Sequence, residues 1–224
     1  RSTLFPYTTL FRSLAESSMP TQNESPAKES HFLAILSRLK YIERWSLMRN
    51  SRPENLSEHS LEVAMIAHML CVIGNVRHGR HLDAAHAALL GMYHDASEII
   101  TGDMPTPVKY FNGKIRDAYK GVEAQAERRL LSTLPDDLRP EFVQALSADD
   151  GADGRYVARL VKAADKLSAL IKCLEERAAG NTEFTTAEAS TLRKLEDMRV
   201  ELPEVDDFMD EFLPSYGSTL DQLL

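Results

Sequence analysis

The sequence contains little cysteine, glycine, proline or aromatic residue, and each shortage argues against a class of protein. Its two cysteines in 224 residues, Cys71 and Cys173, indicate neither a disulfide framework nor a CxxC metal site. Ten glycines and ten prolines are too few for a collagen-like or linker-rich chain. An aromatic content of 7%, beside abundant alanine, leucine and glutamate, favours helices over a strand-rich sandwich or barrel. We therefore expect a helical protein of the reducing cytoplasm.

The chain also lacks an excess of positive charge and a long apolar run. Its 26 basic and 34 acidic residues give a formal net charge of −8, which argues against nucleic acid as a partner but does not exclude a small phosphorylated substrate. No unbroken run of about 18 apolar residues occurs, so we expect no membrane-spanning segment. A content of 43% apolar and 27% charged residues is typical of a globular chain with a real core.

The first 28 residues differ in character from the rest. They combine the repeated triplet TLF with a polar stretch that has no helical or strand periodicity, so we expect a disordered or non-native leader. A signal peptide is the alternative, but threonines, Pro6 and Arg12 interrupt any apolar core there. The opening also resembles translated sequencing-adapter DNA, in which case the native start is Met19. We predict a leader over residues 1–28 and one domain over residues 29–224.

Helical spacing of apolar residues predicts an all-α fold, a bundle of six or more helices without βαβ alternation. A capping box of Asn55 and Glu58 opens the second helix, which Gly74 ends, and Asp83 caps the third. Gly180 and Asn181 end the long helix in the usual C-terminal position. An acidic tail over residues 196–211 follows the last helix. The predicted helices cover residues 30–45, 55–74, 84–100, 113–134, 135–147, 155–180 and about 187–200.

Four potential metal ligands occupy unusual positions on these helices. His59 lies one turn before Val63 on the inward face of the second helix, and His94 and Asp95 are adjacent on the third. Asp165 lies within the apolar stripe of the long helix, where an acid is rare unless it is paired or binds metal. Two imidazoles and two carboxylates suit a divalent ion such as Mn, Co, Fe or Zn, with two octahedral positions left for water and substrate. Such an ion would lower the pKa of its bound water and polarise a phosphoryl oxygen, as phosphomonoester hydrolysis requires.

The spacing of these residues has to be weighed against an ordinary structural role. Gly91 and Glu98 lie three or four positions from His94 and Asp95, so all four share one face of the third predicted helix, and small Gly91 leaves room beside it. Any one histidine alone is more typical of a core or surface residue, but the complete set favours metal ligation. The remaining histidines and an acidic loop are expected to be structural or solvated: His31, His68, His78, His81, His86, Asp149, Asp150 and Asp153.

A basic segment over residues 38–52 holds five basic residues and one acid, which makes it a candidate anion site in an acidic chain. Arg44 offers a guanidinium for bidentate contact with phosphate, and Trp45, the only tryptophan, offers an indole that packs on a base or sugar. The alternative is a helix end whose basic residues favour the C-terminal dipole, with Trp45 in the core.

The order H…HD…D of the four potential ligands resembles the signature of HD-domain metal-dependent phosphohydrolases. Over residues 30–184, the resemblance narrows to bacterial HD-domain 5′-deoxynucleotidases through the strings SHFLAILSRLKYIERWSLMRN, ENLSEHSLEVAMIAHML, MYHDASEIITGDMPTPVKYFN and LVKAADKLSALIKCLEERAAGNTEF. The resemblance implies an all-helical homodimer that removes phosphate from deoxyribonucleoside 5′-monophosphates. It also implies one divalent ion per subunit, cobalt or manganese.

The resemblance further implies a role for each matching residue. It assigns metal ligation to His59, His94, Asp95 and Asp165. Arg44 matches the arginine that orients the phosphate, and Trp45 matches the residue beside the sugar that disfavours a 2′-hydroxyl. Glu98 matches an acidic residue near the attacking water, so the expected catalytic residues are Glu98, Asp95 and Arg44. The expected substrate-binding residues are Arg44, Trp45, Asp95, Asp165 and the turn made of Asp103, Met104, Pro105 and Thr106.

Two other functions stay open at this point. An HD hydrolase of another phosphoester, such as a triphosphate, a cyclic dinucleotide or a guanosine polyphosphate, would share the ligands. The absence of a GYP segment after His94 and Asp95 weighs against the cyclic-dinucleotide branch. A non-catalytic nucleotide or metal sensor would keep the ligands without turnover, but Glu98 and Arg44 weigh against it.

Overall fold

The structure is a computed structural model that describes residues 29–109 and 111–224, and the predicted leader over residues 1–28 lies outside this part. The described chain is helical apart from one pair of two-residue strands, which confirms the predicted all-α bundle. In chain order, the elements are α1 (Phe32–Leu36), β1 (Glu43–Arg44), β2 (Glu54–Asn55), α2 (Leu56–Arg77), α3 (Ala84–Tyr93), α4 (Glu98–Thr101), α5 (Thr106–Lys109), α6 (Gly113–Leu131), α7 (Arg139–Leu146), α8 (Ala152–Ala178), α9 (Thr185–Arg199), α10 (Pro203–Glu211) and α11 (Leu220–Leu223).

Helices α2, α3 and α8 form the centre of the fold, and α9 and α10 pack around them. Their inward faces build one apolar core that includes Leu70 of α2, Leu167 of α8, Leu195 of α9 and Phe208 of α10. Each fully buried leucine of this kind contributes about 1.5–3 kcal/mol by leaving water. A second, smaller core joins α1, α6 and α7 beside the beginning of α2. The packing of α2 against α8 and α3 positions the candidate site.

The beginning of α2 is as predicted, but its end is not. Asn55 accepts hydrogen bonds from the backbone N–H of Ser57 and Glu58, and the Glu58 carboxylate accepts from the backbone N–H of Asn55, so the predicted capping box is confirmed. The helix continues past Gly74 to Arg77. A Cβ at Gly74 would lie 2.7 Å from an oxygen of Glu204 in α10, so this glycine admits a close helix contact instead of ending the helix.

Helix α2 is also the most apolar long helix. Among the described residues, it alone is long and apolar enough by composition to cross a membrane, with a mean hydropathy of 1.4 over its best 18-residue window. Of that window, 56% is buried inside the protein, where α2 packs against α3 and α8. These contacts are those of a core helix, which needs apolar residues around most of its circumference.

The first predicted helix is wrong beyond its first turns. After α1 the chain forms a 3₁₀ segment, Ser37–Tyr41, and then the strand β1, which pairs with β2 so that Arg44 lies opposite Glu54. Trp45, with a φ of 57°, directly follows strand β1, so the alternative that it sits at a helix end is wrong too. The apolar spacing does bury Leu39, but the ion pair of Arg44 and Glu54, at 2.7 Å, stabilises a hairpin in place of a continued helix.

The third predicted helix is interrupted. Helix α3 ends at Tyr93, and residues 94–97 form a turn before the short helix α4. In this turn the backbone changes to tighter hydrogen bonds, from Ala96 N–H to the carbonyl of Tyr93 and from Glu98 N–H to the carbonyl of Asp95. The assumption that Gly91, His94, Asp95 and Glu98 share one face of a continuous helix is therefore wrong.

The C-terminal part contains one confirmed helix end and one correction. Helix α8 ends before Gly180, whose φ is 80°, and the N–H of Asn181 bonds to the carbonyl of Glu176, as the predicted C-terminal glycine motif requires. The acidic segment 196–211 is not a tail, because its second half is helix α10. Val205 and Phe208 of α10 are buried in the main core.

Candidate metal and phosphate site

The structure brings the four predicted ligands together from three separate segments. We call them the ligand cluster: His59 from α2, His94 and Asp95 from the turn after α3, and Asp165 from α8. Nε2 of His59 lies 3.3 Å from an oxygen of Asp165 and 3.6 Å from an oxygen of Asp95, and Nε2 of His94 lies 3.0 Å from that Asp95 oxygen. The donor atoms of His59, His94 and Asp95 all lie within 4.8 Å of one another. A cation at their centre would contact donors from α2 and from the turn after α3, and Asp165 of α8 lies next to this set through its contact with His59.

The hydrogen bonding of the two histidines shows that this cluster fits a cation. Nδ1 of His59 contacts the hydroxyl of Ser168 at 3.0 Å, and Nδ1 of His94 contacts the carbonyl of Gly91 at 2.7 Å. Both Nε2 atoms are buried and have no hydrogen-bond partner among the described residues. A buried polar atom without a partner is costly and needs an explanation. Two imidazole nitrogens aimed at two carboxylates are a donor set that a divalent metal ion satisfies.

The close approach of α3 to α2 depends on Gly91. A Cβ at this position would lie 2.9 Å from the Cα of Ala64 and 3.1 Å from the carbonyl oxygen of Val63. Such contacts are too short, so a larger residue would push α3 away from α2. The prediction that Gly91 leaves room beside the ligands is thus refined, because the room is taken by the backbone of α2.

The protonation of the cluster also indicates a place for positive charge. Burial and the nearby Arg44 lower the pKa of His59, which keeps this imidazole neutral, as a metal ligand must be. Burial opposes the charge on His94, but the adjacent Asp95 raises its pKa to about 9. Despite burial, the contact with His59, followed by the charges of Lys166 and His94, holds the pKa of Asp165 well below its usual value. The pKa values of Asp95 and Asp165 are both lowered, so both carboxylates are ionised at neutral pH.

Glu98 begins α4 next to the ligand cluster and is 5% exposed. Its Oε2 atom is buried without a hydrogen-bond partner in the described part of the chain. Burial, together with the charges of Asp95 and Asp103, raises the pKa of Glu98 to about 8. A carboxyl group that holds a proton near neutral pH is suited to general acid or base catalysis.

Arg44 and Trp45 face the same region from the β hairpin. The Arg44 guanidinium donates to Glu54 at 2.7 Å, and the indole N–H of Trp45 donates to the same carboxylate oxygen at 3.2 Å. The Trp45 ring packs edge-on against Phe184, with centroids 5.4 Å apart. Burial opposes a rise in the pKa of Arg44, but Glu54, followed by Asp165, Asp95 and Asp103, raises it. This guanidinium is therefore a fixed positive charge close enough to the ligand cluster to interact with it.

The segment 103–106 follows α4 and lies beside the hairpin. Burial raises the pKa of Asp103, while Arg44 and a backbone hydrogen bond from Trp45 lower it. Met104 and Pro105 are half-buried, and Thr106 begins α5. The structure thus places at least Asp103 next to Arg44 and Trp45, two other residues that the resemblance assigns to substrate binding.

Three side chains around this site were not predicted from the sequence. Glu54 anchors both Arg44 and Trp45, and a chain of two further residues, Ser168 and Glu62, supports His59. The signal for the latter pair is helical spacing, since each follows a predicted ligand by three residues and so shares its face.

The residues predicted to be structural or solvated stay outside the site. The group that contains His59, His94 and Asp95 is the only set of three or more close metal-binding side chains in residues 29–109 and 111–224. His78 is exposed as expected but also contacts an oxygen of Asp207 at 3.0 Å. The acidic loop residues Asp149, Asp150 and Asp153 are not part of the cluster.

The chain is similar to proteins of one known family. Residues 31–216 match the family described as "YfbR-like: 5'-deoxynucleotidase YfbR-like". Over 196 residues the chain is 50% identical to the 5′-deoxynucleotidase YfbR of Escherichia coli, an alignment that covers 88% of this chain and 96% of that protein.

Solved structures share the fold. An HD-domain phosphohydrolase from Listeria innocua aligns with a TM-score of 0.71 at 25% identity, over 83% of this chain and 88% of that one. A cyanophage S-2L HD phosphohydrolase bound to dA and one catalytic Zn²⁺ ion aligns with a TM-score of 0.56 at 21% identity, over 83% of this chain and 96% of that one, and it supports the fold alone. From the family match and the 50% identity, the chain belongs to the YfbR-like family of 5′-deoxynucleotidases.

Proposed function

We propose that this protein hydrolyses deoxyribonucleoside 5′-monophosphates to a deoxyribonucleoside and inorganic phosphate. The observation that carries the proposal is the pair of buried, unpartnered Nε2 atoms of His59 and His94, which face the carboxylates of Asp95 and Asp165. The relative from Escherichia coli, which carries the name 5′-deoxynucleotidase, supports the same reaction.

The cofactor in this proposal is one divalent ion per chain, manganese or cobalt, held by the ligand cluster. When bound there, the ion supplies a Lewis acid that takes up charge on a phosphoryl oxygen and activates water at neutral pH. The mixed nitrogen and oxygen donors suit both of these metals. Because the two histidines are fixed through their Nδ1 atoms, their Nε2 atoms keep this orientation before the ion arrives.

Residues in and next to the ligand cluster have separate roles in the reaction. Arg44 binds the phosphate and neutralises charge that develops on its oxygens, and Asp95 orients the attacking water. As the water oxygen bonds to phosphorus, the bond from phosphorus to the 5′ oxygen breaks, and the leaving oxygen needs a proton. Glu98, whose buried carboxyl holds a proton near neutral pH, donates this proton to the leaving oxygen and then takes up the proton that the attacking water loses.

Selection of the deoxy sugar falls to Trp45 and to the segment of Asp103, Met104, Pro105 and Thr106. The Trp45 ring is held on both sides, by Glu54 through its N–H and by Phe184 through its edge. A ring fixed in this way excludes a 2′-hydroxyl without moving. Asp103 and its neighbours contact the nucleoside beside this ring.

We further propose that the protein is a cytoplasmic homodimer. Leu61, Met65 and Val76 lie on one face of α2 and expose 55%, 58% and 78% of their surface, which favours burial against a second copy. Two free cysteines, Cys71 and Cys173, both buried, agree with a reducing compartment. Light scattering on the purified protein tests the dimer, and a monomer at micromolar concentration would contradict it.

The decisive test is a substrate panel on purified protein. Chelator-treated protein is supplied with Mn²⁺ or Co²⁺, and phosphate release is measured from dAMP, dGMP, dTMP and AMP. We expect release from the deoxyribonucleotides, little from AMP, and none without the ion. Equal rates on dAMP and AMP would contradict the sugar selectivity. Turnover of a triphosphate or cyclic dinucleotide alone would indicate another HD hydrolase, and binding without release would indicate a sensor.

A further inference from the structure

Two side chains that the proposed reaction does not use support His59 from behind. The hydroxyl of Ser168 lies 3.0 Å from Nδ1 of His59, and the same hydroxyl donates to Glu62 Oε2 at 2.6 Å. His59 and Ser168 are completely buried, while Glu62 is half-buried at the edge of a cavity. The three side chains form a continuous hydrogen-bonded chain that starts at the ligand cluster and ends at a carboxylate.

The direction of the hydrogen bonds in this chain follows from the chemistry of its last member. A neutral imidazole carries one proton, and the nitrogen that binds a cation must be the other one. A serine hydroxyl either donates to Nδ1 or accepts from it, so Ser168 alone does not choose between the two tautomers. A carboxylate only accepts. Glu62 therefore takes the hydroxyl hydrogen of Ser168, which leaves Ser168 to accept from Nδ1–H of His59.

We propose that Ser168 and Glu62 are positioning residues that fix His59 in the tautomer with its proton on Nδ1, so that Nε2 is free to bind the divalent ion. The inference rests on the proposed metal site and adds the two residues that prepare it. The unpartnered Nε2 of His59, which faces Asp165 and Asp95, is the atom that this tautomer leaves free.

The helices carry these positioning residues in matched places. Glu62 follows His59 by three residues on α2, and Ser168 follows Asp165 by three residues on α8. Each helix thus presents a ligand and a positioning residue on one face, one turn apart. The hydrogen-bonded chain is complete only when α2 and α8 pack together, because Ser168 comes from one helix and its two partners come from the other.

Binding of Mn²⁺ to chelator-treated protein tests the proposal without any turnover. In Glu62→Gln the shape is kept, but the amide can donate to Ser168 and so allows the reversed direction. We expect Mn²⁺ affinity, measured by calorimetry, to fall about 10-fold in Glu62→Gln and up to about 100-fold in Ser168→Ala. Glu175→Gln is the matched control, since Glu175 borders the same cavity, loses the same charge and has no side-chain hydrogen bond among the described residues. Its affinity should stay within about twofold of the parent.

The state of His59 is read directly by long-range ¹H–¹⁵N NMR on the metal-free protein. We expect the proton on Nδ1 in the parent and a gain of the Nε2–H form in Glu62→Gln. This measurement needs no ion, so it separates failure of the positioning role from failure of the metal assignment. An unchanged Mn²⁺ affinity in Glu62→Gln, an equal loss in Glu175→Gln, or a parent His59 with its proton on Nε2 would each overturn the proposal. If Ser168→Ala does not fold, Glu62→Gln decides.

Discussion

The ligand cluster and the surroundings of Glu176 both contain charged side chains inside the fold. The carboxylate of Glu176 has hydrogen-bond partners for both of its oxygens. Glu176 is 2% exposed, and its oxygens accept from the backbone N–H groups of Ser51 and Arg52 at 2.8 and 3.2 Å and from the side-chain amide of Asn181 at 2.7 Å. Lys172, one turn before it, supplies the balancing charge. In the ligand cluster, by contrast, Nε2 of both histidines has no such partner among the described residues.

This difference separates two uses of buried charge. The Glu176 cluster ties the segment that follows Arg44 and Trp45 to α8, and its bonds are already made. The ligand cluster keeps polar atoms unpaired, each at a cost of about 1–3 kcal/mol in the protein alone. Unpaired buried polar atoms of this kind are expected at a site that binds an ion or a ligand. Substitutions around Glu176 should therefore reduce stability, and substitutions in the ligand cluster should reduce activity.

The strongest test of this contrast is Asp95→Asn, which removes one ligand charge and keeps the shape. We expect phosphate release from dAMP to fall by about 10³-fold or more, because a metal ion provides several kcal/mol of charge stabilisation in the transition state. The unfolding temperature of the metal-free protein should not fall. Asp149→Asn, in an exposed loop, is the control for loss of charge. Turnover at the parent's rate in Asp95→Asn would remove the ligand cluster from the reaction.

Glu176→Gln should have the opposite profile. It leaves Lys172, which is 5% exposed, without its charge partner, so we expect the free energy of unfolding at pH 7 to fall by about 3 kcal/mol while Mn²⁺ affinity is unchanged. Burial opposes ionisation of Glu176, but the hydrogen bonds from Lys172, Asn181 and Ser51 lower its pKa to about 2, below the usual 4.5.

The pH dependence of stability gives the sign of this effect. Because the pKa of Glu176 is lower in the folded state, its stabilisation is complete above pH 4.5 and is lost as the pH falls through about 2. Urea unfolding curves of the parent and Glu176→Gln should therefore converge as the pH falls from 4.5 to 2. Curves that stay parallel over this range would show that the carboxylate charge does not stabilise the fold.

Glu98→Gln tests the buried acid that lies next to the ligand cluster. We expect kcat to fall by about 10²-fold, as loss of a positioned proton donor usually causes, with Mn²⁺ affinity close to that of the parent. Since Glu98 with its pKa of about 8 loses its proton as the pH rises, the parent's rate should fall on the alkaline side. A bound cation lowers this pKa, so the fall should occur at or below pH 8, and Glu98→Gln should lack it. Unchanged turnover would remove Glu98 from the mechanism.

The smallest expected effect is on sugar selectivity. Trp45→Ala removes the ring that Glu54 and Phe184 hold, so we expect the ratio of kcat/KM for dAMP over AMP to fall by about 10-fold, with metal binding unchanged. Phe184→Leu, which removes the aromatic contact with Trp45 but keeps the indole itself, should lower the ratio less. A Trp45→Ala protein as selective as the parent would assign discrimination to the segment 103–106.

Local sequence signals predicted the ends of helices well. The Asn55 and Glu58 capping box, the Asp83 cap and the Gly180 stop all act through hydrogen bonds or backbone angles within a few residues, so they are readable without the rest of the fold. Gly74 shows the limit, because its role is set by Glu204, more than one hundred residues away.

Long-range pairing explains the errors near the site. The pairing of Arg44 with Glu54 converts a predicted helix end into a strand, and the turn at residues 94–97 breaks a helix whose apolar spacing continues through it. The prediction of the four ligands did not depend on these errors, because it rested on residue type and order along the chain and not on the exact helix. Ser168 and Glu62 went unnoticed because serine and glutamate are common on helices, and only contact between α2 and α8 shows what they do.

Because the ligand cluster draws on α2, α8 and the turn after α3, its donors are gathered only in the native chain. An unfolded chain offers the ion the same groups, but scattered along more than one hundred positions. By mass action, an ion present at one hundred times its dissociation constant would raise the free energy of unfolding by about 2.7 kcal/mol. A rise in melting temperature on adding Mn²⁺ would then show that the ion occupies the site before any substrate is added.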